Sequence, residues 1–211
     1  YSQVDMNRQL VKNMYFKNSK MNNIPKELTI YYKSLTILDA SKLRLSRVES
    51  QDFSSSCKIQ HLNASYNKIH EIPMGLNSAM RELLNLDLSH NIIDRIDEEA
   101  FDYKENMKFL NLSNNRIGKI SMSFLYNLRS LEILKLDNNR ITEITGYVED
   151  LSMNLKELYL QNNNLKQFYP RIIPSATYLD ISFNELEDDL DFSATKLIEL
   201  YVKSNLLPSL K

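Results

Sequence analysis

Apolar positions recur along the chain with one fixed spacing. Residues 83–96 have the pattern L-x-x-L-x-L-x-x-N-x-I-x-x-I, and the same spacing returns at 107–120 and again at 131–144. Within each unit the apolar steps are 3-2-3-2, whereas one face of a helix would alternate steps of three and four. The pattern therefore predicts a repeat rather than an ordinary amphipathic helical protein.

Nine units of this kind account for nearly the whole sequence. They begin near residues 11, 35, 59, 83, 107, 131, 155, 176 and 197, and the last two are shorter than the others. One unit cannot bury its leucines alone, so neighbouring units must stack. We therefore expect residues 1–211 to form a single array with an α/β solenoid fold. Its concave side would carry a parallel sheet of about nine strands, and its convex side would be irregular or 3-10 helical.

An asparagine follows the predicted strand in most units. Its amide has two donors and an acceptor, so it can bond backbone groups that the turning chain leaves unpaired, in its own and the next coil. Ser19 is a weaker substitute in the first unit, and Leu43 cannot serve in the second, so we expect a water or a shifted backbone at Leu43. The predicted ladder consists of Asn67, Asn91, Asn115, Asn139, Asn163, Asn184 and Asn205.

The second half of the longer units carries a further apolar anchor, expected to fill the convex side. Phe53, Phe101, Leu125 and Ile173 occupy this place. The stretch 97–101 begins with acidic residues and is the best candidate for a short helical turn.

Residues that flank the central leucine of each strand should face outward on the concave side. Aromatic and apolar residues collect there in the later units. Such exposed residues on adjacent strands are typical anchors for a protein partner, although Tyr and Phe also simply suit strands. The predicted partner-binding set, the late concave surface, is Phe109, Ile133, Lys135, Tyr159, Tyr178, Phe183 and Tyr201.

Basic and acidic residues are concentrated in different parts of the array. The position after the ladder asparagine is basic in five of six units, as Lys20, Arg44, Lys68, Arg116 and Arg140. Acidic residues cluster later, as Glu157, Asp180, Glu185 and Glu199. A column of this kind is usually only a solvated edge, and a dedicated electrostatic role is the alternative.

The composition of the chain argues against several classes of function. The formal net charge is -1, which argues against a nucleic-acid partner and against a polybasic membrane-surface protein. The three glycines do not form a phosphate-binding loop, and no apolar run approaches the about 18 residues of a membrane span. The single cysteine, Cys57, is expected to be a buried small hydrophobe rather than one half of a disulfide to a missing segment. The chain opens at Tyr1 and is interpreted as a fragment without terminal caps.

No catalytic, metal or cofactor site is expected. His61 and His90 could approach each other on neighbouring strands, but two histidines alone make a poor metal site and exposed polar filler is the better interpretation. His90 with Asp87 and Ser89 is a local coincidence, not a nucleophile in a pocket.

Two glycosylation sequons begin at Asn63 and Asn111. Their number is no more than chance supplies in a sequence rich in Asn and Ser. If the protein is secreted and they are occupied, glycans would cover the early and central concave surface and direct a partner to the late concave surface, an edge or the convex side.

The repeats resemble the leucine-rich repeats of extracellular animal proteins. The segments YFKNSKMNNIP and SLTILDASKLRLSRVESQDF are most similar to the secreted leucine-rich immune proteins of mosquitoes. That resemblance implies an extracellular, non-catalytic module in innate immunity, whose partner is a complement-like thioester protein or another leucine-rich-repeat chain. The alternative is the ectodomain of a cell-surface receptor or adhesion protein, Toll-like or chaoptin-like. The cysteine-bearing segment and coiled coil of those mosquito relatives have no counterpart here, so their roles are not transferred.

Overall fold

The computed structural model describes residues 8–16, 19–54, 57–76, 79–102, 105–121, 127–145 and 154–209. Its main feature is a nine-stranded parallel sheet, which confirms the predicted solenoid. Each strand has three residues and pairs with the strand of the next repeat. The strands are β1 (Asn13–Tyr15), β2 (Ile37–Asp39), β3 (His61–Asn63), β5 (Asn85–Asp87), β7 (Phe109–Asn111), β9 (Ile133–Lys135), β11 (Glu157–Tyr159), β12 (Tyr178–Asp180) and β13 (Glu199–Tyr201).

The central residue of each strand points into the solenoid. Leu86 and Leu110 are fully buried and pair in register, and the residues on either side of them are half-buried on the concave face. This alternation is the period of two that a strand imposes. Because the register never slips, equivalent residues of successive repeats form straight columns across the sheet.

The rest of each coil is built from short elements. Two small parallel sheets pair β4 (Glu71–Ile72) with β6 (Arg95–Ile96) and β8 (Lys119–Ser121) with β10 (Glu143–Thr145). Residues 8–10 are helical, a further α-helix lies at Glu27–Tyr31, and 3-10 turns lie at Ser50–Asp52 and Pro170–Ile172. The stretch 97–101 forms a hydrogen-bonded turn rather than a helix: Ala100 N–H donates to the Asp97 carbonyl at 3.0 Å.

Apolar side chains from every repeat form one continuous core. Phe53, Phe101 and Ile173 are each buried in it, as expected of convex anchors. Leu125 lies outside the described residues. Cys57 is buried with them, in agreement with its expected role as a small hydrophobe.

The ladder asparagines bond the backbone of two coils. Asn115 Oδ1 accepts from Ile93 N–H at 3.0 Å, and its Nδ2 donates to the carbonyls of Leu88 and Leu112, also at 3.0 Å. The second coil is the preceding one, not the following one as expected. The same two contacts with the preceding coil, one accepted from an N–H and one donated to a carbonyl, are made by Asn67, Asn91, Asn139, Asn163, Asn184 and Asn205.

A left-handed residue precedes each of these asparagines. Its φ lies between 54° and 57° in all seven repeats, from Tyr66 to Ser204. In the second repeat Lys42 takes this place with φ 58°, but Arg44 has a second positive φ, of 81°. The backbone is therefore shifted beside Leu43, where the ladder asparagine is missing, which is one of the two expected outcomes.

No helix in the described part of the chain is long and apolar enough to cross a membrane.

Candidate protein-interaction surface

Six residues of the last three strands alternate in chemistry. In register, Tyr178 lies between Glu157 and Glu199 in one column, while Asp180 lies between Tyr159 and Tyr201 in the other. Phenols and carboxylates therefore form a chequerboard on the concave face. We use this name for Glu157, Tyr159, Tyr178, Asp180, Glu199 and Tyr201.

The three tyrosine rings form a continuous row across these strands. The Tyr159 and Tyr178 ring centroids are 4.7 Å apart, and those of Tyr178 and Tyr201 are 5.5 Å apart. The ring planes are tilted by 35° and 41°, within the geometry that aromatic pairs favour. Cross-strand packing therefore holds these rings in place, which reduces the entropy that a partner must overcome.

A lysine ammonium group lies against the first ring of the row. The Lys135 ammonium nitrogen is 4.7 Å from the centroid of the Tyr159 ring, in the range of a cation–π contact. Lys135 lies on β9, directly beside Tyr159 in the sheet register. It extends the row to a fourth strand.

The carboxylates accept hydrogen bonds from the neighbouring phenols. The Tyr159 hydroxyl donates to Glu157 Oε2 at 2.9 Å, and the Tyr201 hydroxyl donates to Glu199 Oε2 at 3.3 Å. Asp180 Oδ1 accepts from Ser182 N–H at 2.9 Å. These bonds orient the side chains and leave the carboxylates on the open face of the sheet.

All three phenols hold their protons more tightly than usual. Burial is the largest cause of the raised pKa of Tyr159 and of Tyr178, followed by the Glu157 hydrogen bond for Tyr159 and by Asp180 for Tyr178. For Tyr201 the raised pKa comes first from its hydrogen bond to Glu199. Nearby negative charge disfavours a phenolate at each position.

Of the other residues predicted for the late concave surface, two lie on the sheet face and one lies apart from it. Phe109 and Ile133 pair in register and continue the column of Glu157 onto earlier strands. Phe183 lies beyond its strand with φ 55°, half exposed, and its ring contacts Lys203 rather than the tyrosine row. Phe183 is therefore separate from the chequerboard.

The two sequons lie on the concave face, on β3 and β7. The Asn63 side chain accepts from Ser65 Oγ at 2.7 Å, and that of Asn111 accepts from Ser113 N–H at 3.1 Å. Asn111 is directly beside Lys135 in the register. A glycan on Asn111 would therefore stand at the border of the tyrosine row.

A second aromatic contact lies along one edge of the sheet. Tyr66 and His90 stack with centroids 4.1 Å apart, and the Lys42 ammonium is 5.1 Å from the Tyr66 ring. Both ring residues are the left-handed residues before ladder asparagines. His90 does not lie on a strand beside His61, because β5 ends at Asp87 and the left-handed turn places His90 against Tyr66.

The basic column follows the same edge. Lys20, Arg44, Lys68, Arg116 and Arg140 are all exposed. In the described ranges no group of three or more His, Cys, Asp or Glu residues is placed to hold a metal ion.

Comparison with known proteins identifies the fold family. A leucine rich repeat family model matches residues 57–117, 81–141 and 105–165, which together extend over more than half of the chain. The chain belongs to the leucine-rich repeat family. None of the curated proteins matches its sequence significantly.

Three solved leucine-rich repeat structures illustrate the likeness. The repeat domain of mosquito LRIM1 is 18% identical with a TM-score of 0.67, over 96% of this chain and 69% of that one. A leucine-rich repeat protein of Leptospira interrogans is 22% identical with a TM-score of 0.68, over 96% and 57%. The repeat domain of mosquito APL1 is 20% identical with a TM-score of 0.63, over 99% and 66%.

At such identities the likeness shows the leucine-rich repeat fold alone. The chain corresponds to between 57% and 69% of the length of these structures. A shared fold does not by itself determine one biological role.

Column-by-column reasoning on the sequence identified the tyrosines but missed the chequerboard of this leucine-rich repeat array. The signal lies in the strand triplets themselves. Glu-Leu-Tyr, Tyr-Leu-Asp and Glu-Leu-Tyr, aligned in register at 157, 178 and 199, already alternate phenol and carboxylate in both columns. The stack of Tyr66 on His90 had no such signal, because it depends on two left-handed turns.

Proposed function

We propose that the chain is a non-catalytic protein-binding module of a secreted innate-immune leucine-rich repeat protein, and that the late concave surface holds its partner. The observation that carries the proposal is the row of tyrosines on adjacent strands. Ordered aromatic rings on an open sheet face provide contact area at low entropic cost, and such residues dominate the energetics of protein interfaces.

The partner class follows from the resemblance and remains part of the proposal. It is a complement-like thioester protein or another leucine-rich-repeat chain, met outside the cell. The fold likeness to repeat domains of mosquito immune proteins supports this choice. A receptor or adhesion ectodomain would use the same surface, and a membrane-spanning segment in the complete coding sequence would favour that alternative.

No catalytic step is part of the proposal. The leucine-rich repeat fold is typically a non-enzymatic interaction scaffold. The balanced charge of the chain gives no reason to propose a nucleic-acid ligand.

A capture experiment from mosquito haemolymph tests the proposal. The immobilised chain is compared with a Tyr159→Ala/Tyr178→Ala/Tyr201→Ala variant. A matched control replaces Tyr15, Tyr66 and Tyr169, which are exposed elsewhere, by Ala. Retained protein is tested for an internal thioester by covalent incorporation of labelled methylamine.

We expect the wild type and the control to retain the same labelled protein and the late triple variant to lose it. Equal recovery on all three would move the partner site off the late concave surface. Retention without methylamine labelling would keep the binding function and reject the thioester class. Circular dichroism of each variant excludes loss of fold as the cause.

A further inference from the structure

The chequerboard carries unbalanced negative charge. It contributes the carboxylates of Glu157, Asp180 and Glu199, and the Lys135 ammonium lies against the Tyr159 ring at one end of the row. Among the residues that the structure describes, no ion pair involves any of these three carboxylates. The surface is thus acidic as well as aromatic.

These charges are held close together. Adjacent strands are about 4.8 Å apart, so the carboxylates of Glu157 and Glu199 are anchored only two strand spacings from each other, with that of Asp180 on the strand between them. The phenol hydrogen bonds fix Glu157 and Glu199 in this arrangement. Like charges held at such distances favour a cation between them.

The rings already bind one cation within the chain. Lys135 places its ammonium nitrogen 4.7 Å from the Tyr159 ring centroid. This contact shows the kind of group that the row accepts, since an aromatic face attracts ammonium and guanidinium groups. Neighbouring carboxylates also contribute to the raised pKa of each phenol, because they disfavour further negative charge at this surface.

We propose that the chequerboard is the receptor for a basic segment of the protein partner, one that presents an arginine or lysine side chain to the concave face. The aliphatic stem would lie against the tyrosine rings, and the charged head would lie among Glu157, Asp180 and Glu199. An acidic segment would be repelled by the same groups. This inference rests on the proposed function, since it names the chemistry of the partner at that surface.

Short peptides test this chemistry without the partner. The probes are Ac-Ala-Arg-Ala-amide, its neutral citrulline analogue and Ac-Ala-Glu-Ala-amide. Each is titrated into the intact chain at low salt, and the NMR signals of isotope-labelled tyrosine rings are followed. We expect only the arginine probe to shift the signals of Tyr159, Tyr178 and Tyr201, and the effect to weaken as sodium chloride is added.

Variants of the carboxylates and of Lys135 should act in opposite directions. Glu157→Gln and Glu199→Gln should each weaken binding of the arginine probe about two- to five-fold, the range expected for exposed charge pairs. Lys135→Met removes a competing cation and should strengthen binding of the same probe by about two-fold. Glu98→Gln and Glu82→Gln, exposed carboxylates elsewhere on the chain, serve as the matched control and should change nothing.

The outcomes separate this inference from the proposed function. Equal shifts with the arginine and citrulline probes, or weaker arginine binding in Lys135→Met, would overturn the basic-segment proposal. Loss of the captured partner in the triple tyrosine variant would then still support the binding surface. An arginine-selective response with unchanged capture by that triple variant would support the cation preference and remove the partner from this site.

Discussion

The carbonyl oxygen of Leu43 accepts a hydrogen bond from Met21 N–H at 2.9 Å. In later repeats the equivalent N–H donates to a ladder asparagine; Leu45 N–H, for example, donates to Asn67 Oδ1 at 3.0 Å. The backbone carbonyl therefore replaces the side chain that Leu43 lacks. The positive φ of Arg44 turns this peptide into position, and Asn67 Oδ1 accepts from Leu43 N–H as well.

This substitute predicts that Arg44 is strained and the equivalent residue one repeat later is not. Arg44 has φ 81°, a region where glycine is preferred, whereas Lys68 is not among the positive-φ residues. We expect Arg44→Gly to raise the free energy of unfolding by about 0.5–1 kcal/mol. Lys68→Gly should lower it by a similar amount, about 0.5–1 kcal/mol. Urea denaturation measures both, and a loss of stability in Arg44→Gly would contradict this account of Leu43.

Central ladder asparagines should matter more than terminal ones. Asn115→Ala leaves Ile93 N–H without its partner inside the core, so we expect a loss of about 2–3 kcal/mol. The Leu88 and Leu112 carbonyls each lose one of two donors and keep Asn91 and Asn139, respectively. Asn205 makes the same contacts but is only half-buried, and Asn205→Ala should cost about 1 kcal/mol.

The control for the ladder is an asparagine on the surface. The exposed Asn164 side chain donates to the Glu185 side chain, and its backbone bond to Ile141 survives the substitution, so Asn164→Ala should change stability by less than about 0.5 kcal/mol. Thermal and urea unfolding of the three variants measure these losses of stability and rank them. Equal losses in all three would show that the ladder bonds do not support the core.

The raised pKa values of Tyr159, Tyr178 and Tyr201 predict a loss of stability at alkaline pH. Below about pH 10 the phenols are protonated in both the folded and the unfolded state. Above it the unfolded chain releases protons that the folded state retains, so the free energy of unfolding falls as pH rises. A Tyr159→Phe/Tyr178→Phe/Tyr201→Phe variant should therefore lose less stability between pH 9 and pH 11 than the wild type.

Melting temperatures across this pH range provide the measurement. The same substitutions at Tyr15, Tyr66 and Tyr169 give a comparison with equal numbers of phenols removed. If the melting temperature of the Tyr159→Phe/Tyr178→Phe/Tyr201→Phe variant falls with pH as steeply as that of the wild type, the phenols do not retain their protons in the folded state.

Occupied sequons would place glycans beside the proposed site. We expect protein from a secretory insect-cell line to lose mass on enzymatic deglycosylation, and Asn63→Gln and Asn111→Gln each to remove one glycan. Ser65 and Ser113 are buried, so attachment must precede complete folding. An unchanged mass would show that the concave face is free of glycans.

Periodicity predicted the sheet because every repeat has the same local rule. The 3-2-3-2 spacing places Leu86, Leu110 and their equivalents in one buried column, and no long-range information is needed to order the strands. The same argument does not reach Arg44, where a missing asparagine is compensated by a change in the backbone. A sequence pattern describes side chains, whereas this compensation is a choice of φ.

The candidate site was predictable in part. The columns of outward residues gave Lys135, Tyr159, Tyr178 and Tyr201, and the structure brings these four together. Phe183 could not be placed from the pattern, because its left-handed backbone carries the ring to the edge beside Lys203. Which face a residue occupies just after a strand depends on the turn, not on the period of two.

Strand β13 contacts only β12 among the described strands, and its central Leu200 is half-buried where Leu179 is fully buried. Opening of this one coil would remove Glu199 and Tyr201 together. Binding of a partner at the chequerboard would therefore be thermodynamically linked to closure of the coil, and should slow amide hydrogen exchange there more than in the central repeats.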